Sequence, residues 1–196
     1  MPRKTNLLVL TCCLLALLLT PLHAESSNTI DPGKANRVKA AYLYHLARLT
    51  IWPPSAFMSD RDPLVIGIVG DDHHGLAAYF KQSAASLKVD QRSLHVETMP
   101  VYDEAAARRR FHILFFTAET HRQHIHQLAE TPHSGMLLVG DYPDFCDRGG
   151  MVGFFLEDGR IRISANLDAV QAGSLKLSAE ILQHAHLISS STRRGR

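Results

Sequence analysis

Three short stretches carry the residue types that do chemistry. The first is DFCDRGG, residues 144–150, where Cys146 sits between Asp144, Asp147 and Arg148 and just before Gly149 and Gly150. Such a cysteine is a candidate nucleophile, metal ligand, disulfide half or structural turn residue. A nucleophile needs a base and an orienting partner, and neither is identifiable in the sequence. The neighbouring carboxylates raise the thiol pKa and Arg148 opposes them. The second stretch is HxxHxH, formed by His121, His124 and His126, with His112, His133, His184 and His186 elsewhere. Positions i and i+3 share a helix face, but i+5 lies about 140° away, so a regular helix cannot turn all three onto one metal. A solvated helix face is the better reading.

The third stretch is GDDHHG, residues 70–75, which follows an apolar run and opens a helical one. Open α/β sheets bind phosphate at such turns through free backbone N–H groups. Here the Lys and Ser or Thr of a phosphate loop are missing, and Asp71 and Asp72 repel an anion, so the turn reads as Asp capping of a helix. No GxSxG elbow is present for serine chemistry. Nothing in the chain assembles into an active site, and no catalytic, metal or cofactor residues are assigned.

The elements that would position these residues alternate. KANRVKAAYLYHLARLTI (residues 34–51) is an amphipathic helix with Val38, Ala41, Tyr42, His45, Leu46 and Leu49 at helical spacing, stopped by Trp52-Pro53-Pro54. LVIGIVG, HILFFT and GMLLVGD are short apolar runs typical of strands buried on both faces. SLHVETM alternates as a further strand, and helical stretches HHGLAAYFKQSAASL, DEAAARRR and AETHRQHIHQLAE lie between the strands. This rhythm predicts an α/β fold: a mostly parallel sheet flanked by helices on both faces. After Gly149-Gly150, MVGFFLEDGRIRISANL turns at Asp158-Gly159, a strong hairpin signal, which predicts a C-terminal antiparallel hairpin forming the sheet edge. SLKLSAEILQHAHLI reads as a final amphipathic helix, followed by a disordered tail, residues 189–196.

At the other end Arg3 and Lys4 precede the apolar block LLVLTCCLLALLL, then Pro21 and Leu22-His23-Ala24. This order predicts a cleavable signal peptide over residues 1–24, because the block is short of the roughly 20 residues a membrane span needs. An uncleaved anchor is the alternative, since Leu22 is large for its place before the cut; Thr11 before Cys12 argues against a lipoprotein. Removing Arg3 and Lys4 from the 21 basic residues leaves 19, equal to the 19 acidic ones, so the mature chain is neutral and gives no support to nucleic-acid binding. Residues 25–188 suit a single domain. Cys12 and Cys13 leave with the leader, so Cys146 is without an intramolecular partner.

KAAYLYHLARLTIWP, PLVIGIVGDD, HILFF, LLVGDYPDFCDRGGMVGFFLEDGRIRISANL and LKLSAEILQHA, in that order, resemble the YfiR family. The most specific features are the helix ending in Trp-Pro and the Gly-Gly hairpin with its R-x-x-x-N. The resemblance implies a periplasmic regulator rather than an enzyme. Such a protein binds the periplasmic domain of a membrane-bound diguanylate cyclase and represses it, which lowers cyclic di-GMP and biofilm formation. It also implies a homodimer and, in one known arrangement, capture by an OmpA-like outer-membrane lipoprotein. The competing class is a periplasmic small-molecule sensor with a pocket at the carboxyl ends of the strands. The expected partner-binding residues are Arg162, Glu157, Arg160 and Asn166. Arg162 has an internal salt bridge as its alternative role, and for Asn166 capping of the next helix is the favoured one. Trp52, Tyr42 and Tyr44 are read as core residues before interface anchors. The chain departs from the family in lacking a second cysteine, in Ser164-Ala165 where an acidic-apolar pair is common, and in Gly173-Ser174 where Ala-Gly is usual.

Overall fold

The computed structural model describes residues 30–72, 74–118 and 133–188. Residues 1–29 with the expected signal peptide, the expected tail over residues 189–196, all but the first residue of the expected helix over 118–130, and with it HxxHxH, lie outside the described residues.

Helix α1 (Pro32–Leu49) starts where Asp31 accepts the Lys34 N–H at 2.8 Å and Pro32 occupies the first turn. It ends before Trp52-Pro53-Pro54, and Thr50–Ile51 forms a two-residue strand, β1. Its buried residues are Ala35, Asn36, Ala40, Leu43, Leu46 and Ala47, a stripe rotated from the one that periodicity alone picks out. Of the expected set only Leu46 is buried; Val38, Tyr42 and Leu49 are half-buried, and Ala41 and His45 are exposed. The helix is apolar over a wider arc than one contact can cover.

The sheet is built from β2 (Leu64–Val69), β3 (Lys88–Val89), β4 (Arg92–Met99), β5 (Ile113–Phe116), β6 (Leu137–Gly140), β7 (Val152–Glu157), β8 (Arg160–Asn166) and β10 (Ala185–Ile188), in the order β10-β8-β7-β6-β5-β2-β4-β3. Strands β4, β2, β5, β6 and β7 run parallel. The chain steps from β2 out to β4, then crosses back to β5 on the other side of β2, so the order reverses between β2 and β5. Register aligns Ile68, Phe115, Val139, Val152 and Ala165 as one row, each at most 1 % exposed. Phe115 and Tyr42 both contact the Phe154 ring, at 5.6 and 5.7 Å between centroids, which fixes α1 over this face. Helix α2 (Leu76–Ala84) packs beside α1. On the opposite face Phe111, at the end of α3 (Glu104–Arg110), closes on Gly67, where an added Cβ would come within 2.9 Å of its ring. Only glycine allows that approach.

The hairpin forms as expected: β7 and β8 pair antiparallel through Glu157↔Arg160, and Asp158 and Gly159 take φ of 49° and 68°. Positive φ at both central residues matches the twist of the flanking strands. The terminal element differs from expectation. Instead of one helix, residues after α4 (Leu167–Ala172) form β9 (Lys176–Leu177), a four-residue helix α5 (Ala179–Leu182) and β10. Leu175 and Leu177, two apart, are both buried, while β9 pairs with β1. Strand β10 takes the open side of β8, with Ala185 opposite Ile163. The hairpin is thus interior to the sheet and β10 is its edge: backbone pairing outweighs a weak helical period.

Candidate functional site

The stretch around Cys146 is an anchor. Phe145 is fully buried in a niche made by glycines, and Cβ atoms added at Gly140 and Gly150 would lie 2.3 and 2.2 Å from its ring. Gly149 supplies backbone freedom with φ 99°, whereas Gly150 supplies room. Cys146 follows Phe145 inward. Its thiol is inaccessible, 3.3 Å from Ser164 Oγ, and within 3.6 Å of the Met151 carbonyl and 3.5 Å of the Ser164 carbonyl. Burial pushes its pKa up to about 11, against weaker opposing hydrogen bonds. No base stands beside the thiol among these contacts. Of the four roles open to Cys146 in the sequence, the structure gives it that of a buried turn residue, and an intermolecular bridge would require this turn to open. Asp144 and Arg148, the charges that sequence sets against each other around the thiol, pair with one another at 2.7 Å.

Asn166 completes the anchor. Its Oδ1 accepts the Ala169 N–H at 3.1 Å, capping α4, and its Nδ2 donates to the Cys146 carbonyl at 3.0 Å. The capping role read from sequence is therefore present. One side chain ties hairpin, turn and helix together.

Toward the turn the hairpin opens. Arg162 Nε lies 3.5 Å from Glu157 Oε2, with the two side chains 46 % and 56 % exposed. Arg160 pairs across the strands with Glu157, and Phe155 with Arg162, so all four belong to one side of the ladder. An ion pair this long and this wet holds little. Arg162, Glu157 and Arg160 are brought together at an accessible end, and Asn166 is set apart at the buried end.

Beside them lies a groove of about 370 Å³ that the sequence reading missed. Tyr42, His45, Leu46 and Leu49 of α1 form one wall, Arg162 and Ile163 of β8 the floor, and Glu180, Ile181 and His184 the other wall. Strand β10 begins opposite Ile163, so among the described residues no strand lies beside Arg160–Arg162 on that side. The signal in the sequence is His45, a polar residue within an apolar helical stripe. Trp52 does pack inward: its Nε1 donates to the Ala47 carbonyl at 3.1 Å, and its ring meets His112 edge-on. Tyr44 donates to the Lys88 carbonyl at 3.1 Å.

His112 is structural. Nδ1 accepts the Val65 N–H at 3.1 Å, Nε2 donates to the Ala56 carbonyl at 3.0 Å, and the ring stacks on Phe57 at 4.4 Å. Desolvation lowers its pKa, with Arg92 assisting and the Ala56 bond and Asp62 opposing. Asp72 caps α2 as expected, accepting the Ala77 N–H at 2.9 Å. Among the described residues no three His, Cys, Asp or Glu side chains are grouped to hold a metal ion, and no helix is long and apolar enough to cross a membrane.

A mostly parallel sheet of this order, with a locked hairpin base and an open charged hairpin end, defines a class: an α/β module with an antiparallel hairpin toward its C-terminus. The chain belongs to the DUF4154 family, described as YfiR/HmsC-like, whose model matches residues 36–186. That membership puts it among regulators of diguanylate cyclase signalling in general. No curated protein matches the chain. Among solved structures it is similar to a conserved domain protein from Vibrio cholerae O1 biovar El Tor strain N16961, at 12 % identity and a TM-score of 0.42 over 64 % of this chain. The match spans 54 % of that protein's length.

Proposed function

We propose that this protein is a periplasmic repressor: exported by a signal peptide over residues 1–24, it folds as one unit over residues 25–188, ahead of a disordered tail, and binds the periplasmic domain of an inner-membrane diguanylate cyclase. Binding holds the cyclase inactive and lowers cyclic di-GMP and biofilm formation. The observation that supports this is the open hairpin end, where Glu157, Arg160 and Arg162 are grouped beside a groove while the rest of β8 is buried. Fixed charges on a rigid ladder give specificity in docking, and Arg162 offers a planar fork for a carboxylate on the partner. Asn166 keeps the ladder in place from behind. Repression then works by population shift, the regulator binding the inactive cyclase more tightly than the active one. A homodimer, and capture by an OmpA-like outer-membrane lipoprotein, complete the proposed cycle; neither nucleic acid, cofactor nor catalysis has a part in it.

Deleting the gene and measuring cyclic di-GMP tests the reading. The level rises on deletion, wild-type protein restores it, and a chain carrying Arg160→Glu and Arg162→Glu does not, although it is exported and folded. An unchanged level after deletion, with no membrane protein recovered by crosslinking, would sink the proposal.

A further inference from the structure

The loop between β1 and β2 presents its tip on a fixed frame. Asp62 accepts the N–H groups of Met58 and Ser59 at 2.8 and 2.9 Å and the Ser59 hydroxyl at 2.7 Å. Arg92 ties the same loop down from β4: its Nη1 donates to the Ser59 and Asp62 carbonyls at 2.7 and 2.9 Å, and its guanidinium lies 3.8 Å from the centre of the Phe57 ring. The backbone around Met58 is thus held in place, while its side chain is 100 % exposed. It stands at the rim of an open groove of about 590 Å³, with Ile51, Trp52, Pro53 and Phe57 among the lining residues. The other sulfur atoms of the described residues are shut away. Met99, Met136 and Met151 are 9, 3 and 3 % exposed. Met151 Sδ accepts the Leu138 N–H at 3.5 Å, and its methyl group occupies the space that a side chain at Gly173 would need. A cysteine competes for oxidant through its thiolate, but Cys146 is inaccessible and burial pushes its pKa up to about 11, so at neutral pH it stays a thiol.

We infer that the fold makes Met58 a site of reversible oxidation, the methionine among the described residues that a peroxide reaches while the protein is folded. The thioether sulfur attacks one oxygen of hydrogen peroxide; the O–O bond breaks as the S–O bond forms, the second oxygen takes both protons and leaves as water, and sulfur is oxidised by two electrons. The sulfoxide is as open as the thioether, so a methionine sulfoxide reductase reaches it: a thiol pair supplies two electrons, becomes a disulfide, and the oxygen leaves as water. Between the two steps the apolar rim carries a polar S=O group at its tip, and the fold beneath is unchanged because Met58 contributes no buried surface to it. The site shares no residue with the hairpin end and does not rest on the docking role proposed there.

The test treats the whole protein with hydrogen peroxide at pH 7, folded and in urea, and follows each methionine and Cys146 by peptide mass mapping. In the folded protein Met58 is expected to gain one oxygen at least about tenfold faster than Met99, Met136 or Met151, and ahead of any oxidation of Cys146, because buried groups react only when the structure opens. In urea, with the shielding gone, the four methionines react within about twofold of one another. The folded protein oxidised at Met58 keeps the urea midpoint of the parent, and a pair of sulfoxide reductases, one for each epimer, with dithiothreitol returns Met58 to its original mass. Equal rates for Met58 and a buried methionine, earlier oxidation of Cys146, a preference for Met58 that persists in urea, or a sulfoxide that the reductases leave in place overturns the inference.

Discussion

At its carboxyl end β8 carries Ser164, Ala165 and Asn166, two of them buried and the third bonded to both the turn and α4; at its amino end Arg160 and Arg162 reach into solvent, Arg162 in one long ion pair with Glu157 of β7. Within one seven-residue strand a locked structure gives way to an open one. The locked end is fixed by shape, because Phe145 fills a niche that glycines vacate, and by complete use of polar atoms. The open end is fixed only through the ladder that the locked end anchors. A rigid base under a charged tip is the arrangement that docking requires, since the partner then meets groups whose positions are already set.

The contrast breaks most visibly at its foundation. Phe145→Ala empties the niche between Gly140, Gly150 and Gly153 and is expected to cost about 3–5 kcal/mol, the range for deleting a buried aromatic side chain. Urea unfolding measures this, and a loss under 1 kcal/mol would mean that the turn does not anchor the hairpin. Asn166→Ala removes a helix cap and the donor to the Cys146 carbonyl, at about 1–2 kcal/mol. Asn166→Asp sharpens the test: it keeps the cap acceptor and loses the Nδ2 donor, so it should recover only part of the loss.

Much of this was legible in the sequence because it depends on local chemistry. The apolar runs 64–70, 112–117 and 135–141 gave buried parallel strands, Asp158-Gly159 gave the turn, and the capping by Asn166 and Asp72 followed from residue type and place. What escaped depends on contacts between distant segments. The edge that β10 takes beside β8 is invisible from residues 174–188 alone, where apolar residues fit a helix nearly as well as two short strands. The role of Gly150 is one of space, which only the position of Phe145 shows. The return of the chain from β4 past β2 to β5 belongs to topology and not to any motif.

His112 offers a second fixed point, and pH reaches it. Its folded-state pKa lies below the ordinary value of 6.5, chiefly through desolvation. The unfolded chain therefore binds the proton more readily, so the contribution of His112 is fully present above pH 6.5 and is lost as pH falls from there through the folded value. Protonation puts a hydrogen on Nδ1, which then cannot accept the Val65 N–H. The urea midpoint is expected to fall between pH 7 and pH 5, and His112→Asn to flatten that slope. An equal slope in the variant would assign the pH response to other groups.

The smallest expected effect on stability is also the most informative about function. Arg162→Ala removes one member of a pair held at 3.5 Å with both side chains about half exposed, so stability should change by less than about 0.5 kcal/mol. The same holds for Arg160→Ala at the exposed start of β8. Combining the two leaves the urea midpoint near that of the parent while repression of the cyclase fails. If the double variant instead unfolds as readily as Asn166→Ala, the arginines are part of the frame, and the division of β8 into a locked end and an open end is wrong. If it keeps both stability and repression, the division stands and the docking surface lies elsewhere, with the α1 groove around His45 and His184 next in line. The two ends of one strand thus separate by measurement: loss of stability without a specific functional defect at Asn166, loss of function without loss of stability at Arg160 and Arg162.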